Sequence, residues 1–239
     1  MPNLPNALGT HNFDGVAHPY GRALRMLVLF MLPATLVRLA LYLAYPADFQ
    51  GLSAAQVVSA FLVGLRFDVS MAIVMIGLPL ILVLLPFGWS HHRYWQRGWQ
   101  WIIYLTLVLF VFMMVGDAIY FGNVHRHVGS EVNILANDMD SMVGVALRQY
   151  GAALLGFAAG AVAAAWLWHK ALVALPSKPR SPWLRLLALP FLLFGMLVVA
   201  RGGVDGKPLS VGEAFFSNTP AQGYLALNGA FAVSRALLE

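Results

Sequence analysis

Apolar residues dominate five long stretches of this chain, and shorter polar stretches separate them. The five stretches cover residues 26–45, 66–87, 99–121, 151–175 and 183–200. A helix that crosses a bilayer needs about 20 consecutive, predominantly apolar residues, and each stretch is close to that length. The pattern predicts an all-α polytopic membrane protein, in which a five-span bundle over 25–201 separates polar tails at 1–24 and 202–239.

Two segments beside these spans predict further helices at the membrane surface. The second apolar stretch begins already at residue 54, which makes it too long for one straight crossing at about 1.5 Å per residue. We therefore predict an interfacial helix over 54–65, followed by the span at 66–87. In the loop 122–150, apolar residues recur close to the helical period over 132–147, which predicts an amphipathic helix lying in the interface.

Composition supports a lipid environment and excludes several kinds of site. The chain is 60% hydrophobic and 10% charged, whereas soluble domains are about 45–50% apolar and about 25% charged. It has no cysteine, so disulfides and thiolate metal sites are excluded. The net charge of +5 is scattered between apolar stretches rather than clustered, and we predict no nucleic-acid partner.

Known catalytic signatures are missing from the sequence. It contains no P-loop, nucleophile elbow, HExxH motif or dinucleotide-binding fingerprint. The closely spaced His125 and His127 would lie on different faces of a helix, so a metal site is not favoured there. We therefore predict no catalytic residue, metal ligand or cofactor within this chain.

The charge of the connections predicts the orientation of the chain. Eight basic residues lie before the first span and at alternate connections, namely Arg22, Arg25, Arg93, Arg97, Lys170, Lys178, Arg180 and Arg185. Because basic loops stay in the cytoplasm, we expect a multi-pass protein with its N-terminus in the cytoplasm and its C-terminus outside. The 7 tryptophans fall near the cytoplasmic span ends, as an interfacial aromatic belt requires.

Four ionisable residues lie inside the spans or at their edges: Arg38, Arg66, Asp68 and Asp117. A charge at the centre of a spanning helix costs about 2.5–3.5 kcal/mol on insertion scales. The predicted topology brings all four to one outer layer, where their charges can neutralise each other. Three roles are open for them: ion pairs that fix the packing of the first three spans, a lipid head-group pocket whose arginine binds phosphate, or a proton or ion pathway.

Several short motifs, taken in order, resemble one family. They are Gly64-Leu65-Arg66-Phe67-Asp68, Asp117-x-x-Tyr120, Glu131, Arg201-Gly202-Gly203, Lys207-Pro208-Leu209 and Ala226-Leu227-Asn228. From about residue 38 to its end, the sequence resembles the membrane domain of lipoteichoic-acid-synthase-like proteins, which are phosphoglycerol transferases of the sulfatase/alkaline-phosphatase superfamily. The form Arg66-Phe67-Asp68 resembles the Gram-negative branch of that family. This resemblance implies a multi-pass protein of the bacterial inner (cytoplasmic) membrane, with a cytoplasmic N-terminus and a periplasmic C-terminus.

The resemblance implies a five-span anchor followed by an extracytoplasmic catalytic domain that takes phosphoglycerol or similar head groups from phospholipid. In that family the catalytic domain holds a divalent metal and a threonine nucleophile, and neither can be assigned in this chain. We therefore expect this chain to be the membrane half of such an enzyme, whether as a truncation, a split gene product or a partner in trans. The family pattern matches Arg66, Asp68, Asp117, Tyr120 and Glu131 here, without settling their role.

The leading functional hypothesis is therefore a domain that anchors a head-group transferase on the outer face of the membrane and guides anionic phospholipid to it. Arg38 joins the five residues of the family pattern as a candidate for head-group binding or ion pairing. Two alternatives belong to other classes, namely a small transporter or channel subunit and a non-catalytic membrane assembly protein.

Overall fold

Helices account for all the regular structure in the described part of the chain. The computed structural model describes residues 11–129, 131–132, 139–172, 182–204 and 207–237. Their helices, in chain order, are α1 (His11–Ala44), α2 (Pro46–Phe49), α3 (Ala54–Leu84), α4 (Arg93–Val124), α5 (Met139–Leu172), α6 (Pro182–Arg201), α7 (Pro220–Ala226) and α8 (Gly229–Ala236). Short 3₁₀ turns at Trp89–His91 and Val211–Ala214 complete the set.

Five of these helices are long and apolar enough to cross a membrane. The qualifying segments are Tyr20–Ala44, Ala54–Leu84, Arg93–Val124, Leu147–Lys170 and Trp183–Arg201. The prediction of an all-α polytopic membrane protein with five spans is thereby confirmed. The short helices α7 and α8, in the tail, fit the helix-limiting effect of Pro208 and Pro220.

Helix α3 differs from the two-part helix expected over 54–87. It is continuous from Ala54 to Leu84, with Pro79 inside it and a capping box in which Ser53 and Gln56 satisfy each other's backbone groups. The division at residue 66 is predicted from the length of the apolar stretch, but the structure does not break the helix there. Asp68 is paired with Arg38 inside the bundle and Arg66 reaches Gly202 and Glu213, so both charges are accommodated on a continuous helix.

Helix α5 joins two segments that the sequence separates. It runs from Met139 into the fourth span, with a non-helical backbone at Tyr150 (φ −118°, ψ 15°). The second half of the amphipathic segment predicted over 132–147 is thus a helical extension of the span. Residues 133–138 of that segment lie outside the described residues.

The helices alternate in direction, so that the bundle has two chemically different ends. At one end, called the tryptophan end, Trp101 stacks on His169 with ring centroids 6.1 Å apart, and Trp95 and Trp99 pack together at 5.7 Å. Burial and the neighbouring Arg185 lower the pKa of His91, which places the start of α6 at this same end. The described basic residues of these connections therefore share one end of the molecule, whereas Lys178 and Arg180 lie outside the described residues. The membrane side that this end faces remains a prediction.

At the opposite end, called the tail end, residues 207–237 pack over the ends of the spans. Helix α3 is the central element, with 61% of its most apolar window buried, whereas the corresponding windows of the fourth and fifth spans are 6% buried. The core between α1, α3 and α4 includes Phe30 stacked on Phe110, with ring centroids 4.8 Å apart. Ser70 of α3 donates to the Ala200 carbonyl at 2.6 Å and ties the end of α6 to this end.

Candidate functional site

A buried carboxylate, Asp68 of α3, is the centre of the polar contacts at the tail end. Arg38 of α1 binds it through two nitrogens, with Nη1 to Oδ2 and Nη2 to Oδ1 both at 2.8 Å. Asn228 donates to the same Oδ1 from its Nδ2, also at 2.8 Å. The side chains of Arg38 and Asp68 are 2% and 0% exposed. This bidentate geometry is the strong form of an arginine–carboxylate pair.

The Arg38–Asp68 pair is coupled to the tail of the chain. Arg38 Nη2 also approaches the Ala226 carbonyl at 3.4 Å, and the Asn228 side chain caps α8 by accepting from the Phe231 N–H at 3.2 Å. Gly64 makes this approach possible, because a Cβ at that position would lie 2.5 Å from the Arg38 Cζ. Two spans and the tail therefore converge on one carboxylate.

A second buried carboxylate, Asp117 of α4, is held by the segment that follows its own helix. His127 Nδ1 lies 2.5 Å from Asp117 Oδ2, and the Val128 N–H donates to Oδ1 at 2.9 Å. His127 Nε2 lies 2.7 Å from the Tyr224 carbonyl, so the ring joins α4 to α7. A carbonyl only accepts, which requires a proton on Nε2. The contact at Nδ1 then needs another proton, shared between the imidazole and the carboxylate.

Gly229 packs directly against this second carboxylate. A Cβ there would lie 2.1 Å from Asp117 Oδ2, with the carboxylate carbon at 2.3 Å. We expect Gly229→Ala to destabilise the protein by about 1–3 kcal/mol, because overpacking of a filled core forces neighbouring groups to move. The measurement is the unfolding midpoint in an SDS titration of the protein in detergent micelles.

Gly116→Ala is the matched control for Gly229→Ala. Gly116 precedes Asp117 in the same helix and has open space where its Cβ would stand. In the interior of a helix, alanine is favoured over glycine by about 0.5–1 kcal/mol, so this variant should be as stable as the parent or more so. Equal midpoints for the two variants would contradict the close approach of Gly229.

Arg66 lies apart from the Asp68 cluster, although only two positions separate these residues. Its Nε donates to the Gly202 carbonyl at 2.8 Å, and its Nη1 pairs with Glu213 Oε2 at 2.8 Å. The Arg66 side chain is 43% exposed. The four intramembrane charges thus do not form one mutually neutralising group. Arg38 and Asp68 pair with each other, whereas Arg66 and Asp117 find partners in loops and in the tail.

The remaining family-pattern residues, Tyr120 and Glu131, stand outside the buried layer. Tyr120 is half-buried. Glu131 accepts from the Arg126 guanidinium and from the Gly129 N–H. The hydrogen bond from Arg126 holds the pKa of the Glu131 carboxyl at about 2. Because this pKa is lowered on folding, the pair contributes its stability above the usual glutamate range and loses it only as pH falls toward 2.

The two histidines after α4 pair with different carboxylates. His125, in the left-handed conformation with φ 58°, pairs with Asp48 at 2.8 Å, while His127 pairs with Asp117. Within the described ranges, no three His, Asp or Glu side chains are grouped so as to hold a metal ion.

Sequence reasoning missed His127 and Asn228 as partners of the buried carboxylates. Each was visible only as part of a pattern, His127 in a histidine pair considered for metal and Asn228 in the last family motif. The signal that could have identified them is a polar residue close to a span end, in a chain whose intramembrane charges need partners. The interpretation of this site rests on its own geometry, because no family model, curated protein or solved structure matches the chain.

Proposed function

We propose that this chain is a membrane domain that anchors a phospholipid head-group transferase of the lipoteichoic-acid-synthase-like kind and guides lipid to it. One observation carries the proposal: Asp68, buried between two spans, also binds Asn228 of the tail at 2.8 Å. Buried ion pairs add little net stability, and their best-attested use is to specify one arrangement of the parts that meet there. Here the arrangement so specified is the position of the tail on the bundle.

The second tie supports the same role. His127 connects Asp117 to the Tyr224 carbonyl, so α7 is held to α4 four residues before Asn228. A segment held at two such points is suited to carry an attached domain at a defined height over the membrane. The periplasmic location of this end, and the catalytic domain in cis or trans, are parts of the proposal.

Burial of the charges favours an anchor over a transporter. Asp68 is 1% exposed and Asp117 is 5% exposed, and every oxygen of both carboxylates has a partner. An ion or proton pathway needs groups that exchange with water or with a passing ion. These two carboxylates are instead committed to contacts that hold the protein together.

The test is lipid turnover in the organism that makes this protein. Phospholipid is labelled with tritiated glycerol, and the label that moves to non-lipid envelope material is measured in cells with and without the gene. We expect deletion to abolish most of this transfer and the wild-type gene to restore it. Unchanged transfer in the deletion strain would overturn the proposal.

Variants of two asparagines test whether transfer needs the tail in its position on the bundle, and not only the presence of the protein in the membrane. Asn228→Ala, which removes the tie to Asp68, should reach the membrane in normal amount and restore less transfer than wild type. Asn123→Ala is the control, because Asn123 is exposed and bonds only the Ile119 carbonyl of its own helix at 3.0 Å. Full restoration by Asn228→Ala would contradict the positioning role.

A further inference from the structure

A cavity of about 340 Å³ lies at the tail end, next to the second buried carboxylate. Its charged or titratable lining consists of Arg126, His127, Tyr224 and Arg235, and its walls include Phe215, Leu227 and Ala232. Small-molecule sites in proteins begin at about 300 Å³ and combine apolar walls with a few convergent polar groups. This cavity has the size and the mixed lining of such a site.

The charges around the cavity do not cancel. Arg126 is paired with Glu131, and His127 is paired with Asp117. Arg235 donates to the Leu209 carbonyl and lies over the Phe231 ring, with its Cζ 5.3 Å from the ring centroid. Among the described residues no carboxylate pairs with Arg235, so within that part of the chain its positive charge has no counter-ion.

The location of the cavity limits the ligand further. Two arginines from different segments line it, since Arg126 follows α4 and Arg235 lies in the last turn of α8. The cavity lies at the ends of the spans, which is the depth at which the phosphate and glycerol of a phospholipid meet water. Guanidinium groups bind phosphate oxygens bidentately, and the apolar walls suit the carbon skeleton of a glycerol ester.

We propose that this cavity binds the phosphate of a glycerophosphate group, with Arg235 as the principal ligand and Arg126 beside it. The inference rests on the proposed function and deepens it, because it places the head group in one cavity of the domain and assigns the side chains that would bind it. It moves the head-group site away from Arg38 and Arg66, which are occupied by Asp68 and by Glu213.

The test is binding to the purified full chain. The protein is placed in nanodiscs of phosphatidylcholine with or without phosphatidylglycerol, and bound lipid is counted by native mass spectrometry. In a parallel arm, soluble glycerol 3-phosphate is titrated into phosphatidylcholine nanodiscs. Because phosphatidylcholine also carries a glycerophosphate, the first arm identifies a lipid head group only if phosphatidylglycerol is retained in preference to it. Retention of glycerol 3-phosphate in the second arm identifies a free phosphate ester. Either result supports the site if it depends on Arg235, and no retention in both arms overturns it.

Three variants make the result specific. Arg235→Gln should lower retention about tenfold, the usual contribution of a hydrogen bond to a charged group. Arg66→Gln should leave it within about twofold, because Arg66 lies at the same end of the bundle but does not line the cavity. Ala236→Leu keeps both arginines and fills the cavity, so it should also reduce binding. Equal retention by Arg235→Gln and Arg66→Gln would overturn the assignment.

The unfolding midpoint and glycerol transfer are measured separately from lipid binding. Arg235→Lys keeps the charge, and a variant is compared only if its unfolding midpoint matches the parent. If Arg235→Gln fails to fold, Ala236→Leu decides the question, and unchanged binding in that variant would overturn the site. If binding depends on Arg235 but glycerol transfer is unchanged in the deletion strain, the cavity site stands and the transferase role is rejected. If deletion abolishes the transfer but no binding depends on Arg235, the transferase role stands and the cavity site is rejected.

Discussion

Replacing Asp68 by alanine is expected to destabilise this protein by about 3–5 kcal/mol, the usual cost of removing one partner of a buried ion pair. The Arg38 guanidinium, whose side chain is 2% exposed, would keep its charge in a site without a counter-ion. Asn228 would lose its acceptor at the same time. The measurement is the unfolding midpoint in an SDS titration, with the membrane-inserted fraction recorded in cells.

Two comparisons show whether the lost stability comes from the unpaired charge. The double variant Arg38→Met, Asp68→Leu removes both charges and should recover most of the loss, because buried ion pairs are often replaced by apolar groups at little cost. Arg66→Met breaks the exposed pair with Glu213 and should cost about 0–1 kcal/mol. A double variant as unstable as Asp68→Ala would contradict a cost that arises from unpaired charge.

Replacing His127 by asparagine is expected to cost about 2–4 kcal/mol, because it removes two hydrogen bonds and leaves a charged partner short of a donor. Asparagine is too short to contact Asp117 and the Tyr224 carbonyl together, which lie 2.5 and 2.7 Å from the two ring nitrogens. The loss should appear as a lower unfolding midpoint. It should also appear as faster proteolysis of the tail, since α7 would lose this tie to α4.

The control for His127 is the same substitution two residues earlier. His125 has a side chain that is 64% exposed and a positive φ of 58°, a conformation that asparagine tolerates. His125→Asn should therefore change stability by less than about 1 kcal/mol. Equal effects of the two substitutions would mean that the buried link through His127 does not hold the tail.

The two ties differ in what they require of the proton. The Arg38–Asp68 contact joins an arginine, which stays charged, to a carboxylate, so it needs no titration to form. The contact between His127 and Asp117 needs a shared proton, because both ring nitrogens face acceptor atoms. The carboxylate that binds Asn228 is thus paired with an arginine, whereas the carboxylate linked to Tyr224 shares a proton with a histidine.

The fold class and the number of spans follow from the sequence because they depend on length and hydropathy alone. A stretch of about 20 apolar residues forms a helix in lipid, since every backbone group must find its partner within the segment. The same reasoning singles out Arg38, Asp68 and Asp117, because any ionised group in such a stretch is costly and needs a partner. None of these steps requires knowledge of which helices touch.

The choice of partners was decided only by the tertiary structure. Arg66 and Asp68 lie at a similar depth in the bundle. Each step along an α-helix rotates the side chain by about 100°, so residues two positions apart point to nearly opposite sides of the helix. Depth is readable from hydropathy, whereas direction around the helix depends on neighbouring helices. The sequence therefore grouped four charges that the fold separates into one internal pair and two links to other segments.

The tail shows the same limit most clearly. Asn228 meets Asp68 across 160 positions of sequence, and Arg38 meets it across 30, through contacts that no local pattern encodes. By itself the sequence determined that this protein spans a membrane with five helices and carries buried charges that must be satisfied. Only the tertiary structure decided which groups satisfy them, Asn228 of the tail among them, because a hydrogen bond depends on where the backbone of a distant segment lies.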